Sequence, residues 1–239
     1  MRGSIVTANT ALTARAALWA WAARAFSYPM PEFERALHEP AERERLAAVT
    51  DAACAGQAVA LALAEVWEVV DAPVGRPGGL AEEHTFLFGR HVRVPPYESS
   101  YVLEPGTDRS THLAEIGGLY AAFGLTVASA HPDMPDHLGA ECELLAVLLA
   151  KEAYALARGW ASRAKLTRRA RRKLVIEHLQ RWLPSFAERL EKHHRQPFYP
   201  AVTAVVLELL AVEERNLGSP PRLGVAAAVD TVGAGRGVP

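Results

Sequence analysis

The chain has 239 residues, half of them hydrophobic, enough to bury a substantial core as one domain. Its 26 basic and 27 acidic residues nearly cancel, which excludes a chain whose whole surface grips nucleic acid. The 2 cysteines, Cys54 and Cys142, sit apart in apolar helical patterns with no C-x-x-C, an arrangement that argues against a disulfide scaffold or zinc site and suits a reducing compartment.

Arg15 and Arg24 interrupt the apolar N-terminal stretch. No signal peptide is evident, and no window approaches the roughly 20 apolar residues of a membrane span. The expectation is a soluble, cytoplasmic protein without stable membrane insertion. The first predicted helix is capped near Thr10 and carries Leu12, Ala16, Trp19, Ala23 and Phe26 on one face. It must stop before Pro29, because the residue preceding a proline disfavours helical angles. Short helices follow over 32–37 and 41–55, then one over 59–70 with Val59, Leu63, Val66 and Val70 facing inward. Residues 71–79, rich in glycine and proline, break the pattern and form an inter-helix loop.

A helix over 80–88 leads into an irregular run through Pro95, Pro96 and Pro105, and helix resumes at Ser110 or Thr111. Leu113, Ile116, Tyr120 and Phe123 recur at helical spacing, and Gly124 stands where a left-handed C-terminal cap belongs. Asp133 can cap the next helix, with Pro135 in its first turn and Asp136 near the positive end of the dipole. Leu138, Cys142, Leu145, Leu149 and Leu156 make its main stripe, widened by Leu144, Val147 and Leu148, so this helix should be central. In the basic stretch 163–173, the run Arg168 to Lys173 reads as a solvated helix face. It continues into Val175, Leu179, Trp182, Leu183, Phe186 and Leu190, with a kink expected at Pro184. The last helix covers 198–211. No period-two strand pattern occurs, so the reading is an all-α single-domain multi-helix bundle over 1–215, with a disordered tail over 216–239.

Two proline-punctuated loops hold the polar residues best placed for function: Tyr97-Glu98-Ser99-Ser100-Tyr101, and Pro132-Asp133-Met134-Pro135-Asp136-His137-Leu138. Glu83-His84-Thr85-Phe86-Leu87-Phe88-Gly89 and Val94-Pro95-Pro96 ahead of Tyr97 resemble the E-x-x-x-L-F-G and P-P-x-E-S-x-Y elements of the TorD/DmsD/NarJ family of molybdoenzyme maturation chaperones. Tyr120 to Gly124 is similar to that family's Y-x-x-x-G helix end. Pro135-Asp136-His137-Leu138 with Glu141, Glu143 and Leu144 resembles its P-D-H-L-x-x-E-L-x-F motif, although Leu145 replaces the usual aromatic and Cys142-Glu143 shifts the acid. Glu177-His178, Trp182, Pro184, Phe186 and Phe198-Tyr199-Pro200 match in order; the helices before Leu80 match only in kind.

The resemblance implies a TorD-like bundle and a cytoplasmic binding protein that is not an enzyme. Such a protein holds the twin-arginine leader, or another segment, of the apo catalytic subunit of a molybdopterin-dependent oxidoreductase, delaying export until the cofactor is inserted. It implies no cofactor of its own, and a monomer or a domain-swapped dimer hinged at 71–79. A leader with two guanidinium groups and an apolar stretch calls for carboxylates beside an apolar groove. The candidate peptide-binding residues are Tyr97, Glu98, Ser99, Tyr101, Asp133, Asp136, His137, Leu138 and Glu141.

Structural roles stand beside these. Asp133 and Asp136 can serve as helix caps, His137 as a core histidine bonded to the 95–101 loop, Ser99 as a turn cap, Glu143 as a surface carboxylate and Trp182 as core. A metal reading of His131, Asp133, Asp136 and His137 is set aside, because no His/carboxylate pair falls at i, i+4 on one helix. No phosphate-binding G-x-x-x-x-G-K-[ST] loop exists, and the 168–173 run has no interleaved aromatics for nucleic acid. Alternatives of another class are a helical enzyme with an acid–base pair in the Asp133–His137 loop, and a scaffold recruiting an acidic partner through Arg168 to Lys173.

Overall fold

The computed structural model describes residues 2–72, 79–89, 91–103, 108–126 and 134–218. Among these the protein is all-α: α1 (Arg2–Phe26), α2 (Pro31–His38), α3 (Pro40–Ala52), α4 (Gln57–Asp71), α5 (Gly79–Phe88), the single turn α6 (Ser99–Val102), α7 (Arg109–Ala122), α8 (Leu138–Ala157), α9 (Ala161–Lys173), a π-helical segment (Leu174–Leu179), α10 (Gln180–Glu191) and α11 (Phe198–Leu217). None of the described helices is long and apolar enough to cross a membrane.

The core is built on α8, whose Leu138, Cys142, Leu144, Leu145, Leu148 and Leu149 are all buried. A helix apolar around most of its girth must be covered on several sides, and α1 and α9 cover it. Among the described helices the α1–α8 pairing is the most extensive, and it depends on small residues. A methyl group at position 139 would stand 3.2 Å from the Ala23 carbonyl oxygen, so Gly139 lets the start of α8 press onto α1. Helix α11 packs on α4, α10 and α1, and Trp19, Phe26, Trp182, Phe186 and Tyr199 are fully buried in the same core.

Several boundaries differ from the sequence reading. Helix α1 already runs from Arg2, so Thr10 lies within it and is not its cap. Helix α11 continues past residue 211 to Leu217, where Gly218 takes the left-handed conformation (φ 73°) that ends a helix. The tail expected over 216–239 falls, beyond Gly218, outside the described residues, as does most of the proposed 71–79 hinge. Between α9 and α10 the irregularity lies in the π turns of Leu174–Leu179, ahead of Pro184, which itself sits inside α10.

The basic stretch needs the largest correction. Arg171 is fully buried: its Nε donates to Glu152 Oε2 at 2.9 Å and its Nη1 pairs with the buried Glu213. Arg15 approaches the other Glu213 oxygen at 3.5 Å. Only the outer residues of this run, such as Arg169 and Arg172, form the expected solvated face. A guanidinium flanked by acids from α8 and α11 ties three helices together, which argues against this stretch as a free basic docking arm.

Candidate binding site

Helix α8 does not begin on Asp133 or Asp136. His137 is its N-cap, accepting from the Gly139 amide at 3.1 Å through Nδ1. The reason is tertiary. The backbone ahead of Leu138 is occupied with the other loop, since Glu98 N donates to the Asp136 carbonyl (2.9 Å) and Leu138 N to the Pro96 carbonyl (2.8 Å). Tyr97 and His137 thus face each other in an antiparallel bridge, their rings 5.3 Å apart edge to face. The two loops singled out in the sequence are therefore one braced unit. Asp133 lies outside the described residues.

Asp136 is wholly buried and anchors this unit. Its carboxylate accepts from the Ser99 hydroxyl at 2.5 Å and the Ser99 amide at 3.2 Å, which fixes the start of α6. Arg109, at the start of α7, holds its guanidinium 3.4 Å from both Asp136 oxygens and 5.4 Å above the Tyr97 ring. Tyr97 and Tyr101 are half-buried, whereas Glu98, Ser99, Asp136, His137, Leu138 and Glu141 are buried. Glu143 is exposed and Trp182 is core.

Beneath the loops lies a second polar layer. The Glu98 carboxylate reaches His178 Nδ1 at 2.9 Å and His112 Nε2 at 3.2 Å through the same oxygen. Glu141 accepts from the Trp182 indole at 3.1 Å, and Tyr101 stacks on Trp182 with ring centres 5.5 Å apart. Burial, the adjacent Glu98 charge and a hydrogen bond to Glu98 push the Glu141 carboxyl well above the ordinary range, against the indole, which favours ionisation. This environment favours the protonated form of Glu141, which can then donate to the Glu98 carboxylate. Burial also raises the Tyr101 hydroxyl, with Arg189 opposing weakly.

Glu98 and Glu141 were legible as candidates, whereas Arg109, His112 and His178 as their partners were not. Glu98 and His178 are 80 residues apart on different elements, a pairing that no local spacing can signal. His137, an N-cap bonded to its own helix, is not placed as a free acid–base group. A cleft of about 580 Å³, lined by Leu37, Val69, Val70, Leu80 and Phe198 among others, shares no residue with either loop.

The family model described as nitrate reductase delta subunit matches residues 52–188, more than half of the chain and inclusive of both loops. The chlorate reductase assembly chaperone of Ideonella dechloratans is 31% identical over 157 residues, covering 64% of this chain and 78% of that relative. The selenate reductase assembly chaperone of Thauera selenatis is 33% identical over 121 residues, covering 50% of this chain and 61% of the relative. With the all-α bundle and the motif loops in register, the chain belongs to the nitrate reductase delta subunit family of molybdoenzyme maturation chaperones.

Proposed function

We propose that this protein holds the apo catalytic subunit of a molybdopterin-dependent oxidoreductase in the cytoplasm, gripping its twin-arginine leader or another terminal segment until cofactor insertion and assembly are complete. Support comes first from the two relatives, named as assembly chaperones for chlorate and selenate reductases, which makes a reductase of the same kind the expected client.

The observation that carries the leader-binding half of the reading is the Arg109–Asp136 contact. Asp136 is a buried carboxylate covered by a half-exposed guanidinium of the chain itself. A leader arginine offers the same group with the same geometry, so it binds by exchanging with Arg109 instead of meeting an open acidic surface. Tyr97 and Tyr101 then flank the incoming chain with aromatic surface. Ser99 fixes the Asp136 carboxylate, while Glu98, His137, Leu138 and Glu141 hold the loop pair from below.

The client half is tested by recovering the protein from its native cells and identifying what co-purifies. The expected result is a molybdenum oxidoreductase catalytic subunit lacking its cofactor. Recovery of the protein with no oxidoreductase subunit enriched would contradict the reading.

A further inference from the structure

We propose that Glu98, His112 and His178 form a binding site for one divalent first-row transition metal ion of the zinc type. The ligating atoms of the three side chains all lie within 4.8 Å of one another. Two imidazoles and one carboxylate are a donor set that zinc accepts, leaving one tetrahedral position for water or an added ligand.

The spacing fits. Ligands held about 2.0–2.1 Å from zinc at tetrahedral angles stand about 3.3–3.4 Å from one another. The Glu98 oxygen already stands 2.9 Å from His178 Nδ1 and 3.2 Å from His112 Nε2, and the two ring nitrogens lie within 4.8 Å of each other, so modest movement of the rings brings the set to ligating distances. Hydrogen bonding alone leaves the cluster poorly satisfied. His112 Nε2 is buried without a hydrogen bond although it lies 3.2 Å from the Glu98 oxygen that His178 Nδ1 also meets. A buried polar atom left unsatisfied beside two other ligating atoms is costly unless something occupies the space between them.

The scaffold supports the same reading. The three ligands come from separate elements: the residue before α6, the first turns of α7, and the π-helical segment. A π turn is an irregular and uncommon device that re-aims side chains, and here it carries His178. His112, whose side chain is 11% exposed, gives the ion an edge to enter by, while Glu98 and His178 are closed off. A bound ion would clamp α7 and the π segment to the loop that carries Tyr97 and Tyr101. The inference does not depend on what the loops bind.

The test uses the full-length, untagged protein, stripped with a chelator and titrated with Zn2+ against a chromophoric competitor, with Co2+ as the spectroscopic probe. The expected result is one equivalent bound, with a tetrahedral Co2+ visible spectrum. His112→Gln and His178→Gln should each weaken binding by roughly 100-fold or more, above the 10–100-fold typical of losing an outer-shell partner. His193→Gln with His194→Gln, which removes the surface histidine pair, should leave binding intact. Absence of stoichiometric binding would overturn the proposal and leave a hydrogen-bonded carboxylate–imidazole network. So would binding that survives in His112→Gln and His178→Gln but is lost in the His193/His194 variant. Should the single variants fail to fold, imidazole NMR of the unaltered protein decides: Zn2+ must shift the His112 and His178 ring signals and no others.

Discussion

The Arg109 guanidinium stands 3.4 Å from both carboxylate oxygens of Asp136. A tight charge-assisted pair sits at about 2.7–2.9 Å, so this one is loose. It is also lopsided, because Asp136 is fully buried while 45% of the Arg109 side chain meets solvent. Arg109→Ala should therefore cost only about 1 kcal/mol, the value of a half-exposed pair, with Ser99 still satisfying the carboxylate. Denaturant melts check this. A loss above about 3 kcal/mol would make Arg109 a structural necessity, unable to give way to a ligand.

Arg171 is the opposite case. Removing it takes away the buried cation that Glu152 and Glu213 share, leaving only the longer contacts of Arg168 to Glu152 (3.8 Å) and Arg15 to Glu213 (3.5 Å). Arg171→Ala should destabilise by about 3–5 kcal/mol. Arg172→Ala, at an exposed position one residue away, should stay within about 0.5 kcal/mol. Equal effects from the two substitutions would show that the buried triad does not hold the helices together.

The same residue marks where sequence reading ends. The stripe through Leu138, Cys142, Leu145 and Leu149 announced a buried α8, because helical periodicity is a local signal and burial follows it. Arg171 looked like its neighbours, because what buries it is a pair of acids from α8 and α11. The start of α8 was misplaced for a similar reason: Asp133 and Asp136 have the chemistry of caps, but Asp136 spends its backbone carbonyl on Glu98 and its carboxylate on Ser99. The two loops were found as candidates, but their fusion through the Tyr97–His137 bridge, and the His112 and His178 layer below, needed the fold.

Leu145 is fully buried in the core, at 0% accessibility. Leu145→Ala should cost about 2–5 kcal/mol, the loss of transfer energy plus a residual cavity. A change below about 0.5 kcal/mol in equilibrium unfolding would contradict the central place given to α8.

Glu141 gives a pH signature of definite sign. Its folded carboxyl is raised well above the ordinary 4.5, so above that pH the folded protein keeps a proton that the unfolded chain releases. Stability is thus penalised as pH rises from the unfolded value through the folded one, by about 1.4 kcal/mol for each unit separating the two. Glu141→Gln stays neutral, can still accept from the Trp182 indole and can donate to Glu98. Its stability relative to the unaltered protein should therefore increase between pH 5 and pH 8, as urea melts at both values would show. A difference independent of pH would contradict a raised Glu141 carboxyl. Comparing the two proteins at each pH cancels the groups they share.

The account stands most directly on what happens when a twin-arginine leader peptide is titrated into the protein by calorimetry, alongside its twin-lysine counterpart. If leader arginines replace Arg109 on Asp136, the arginine peptide binds better than the lysine peptide. Arg109→Ala should then tighten binding by roughly 5-fold, the equivalent of about 1 kcal/mol of competition removed, while lowering stability. Asp136→Asn should weaken binding by about 2 kcal/mol or more, as expected for truncating one partner of a desolvated charge pair. Affinity that is unchanged in both variants, with both still folded, would contradict exchange at Asp136.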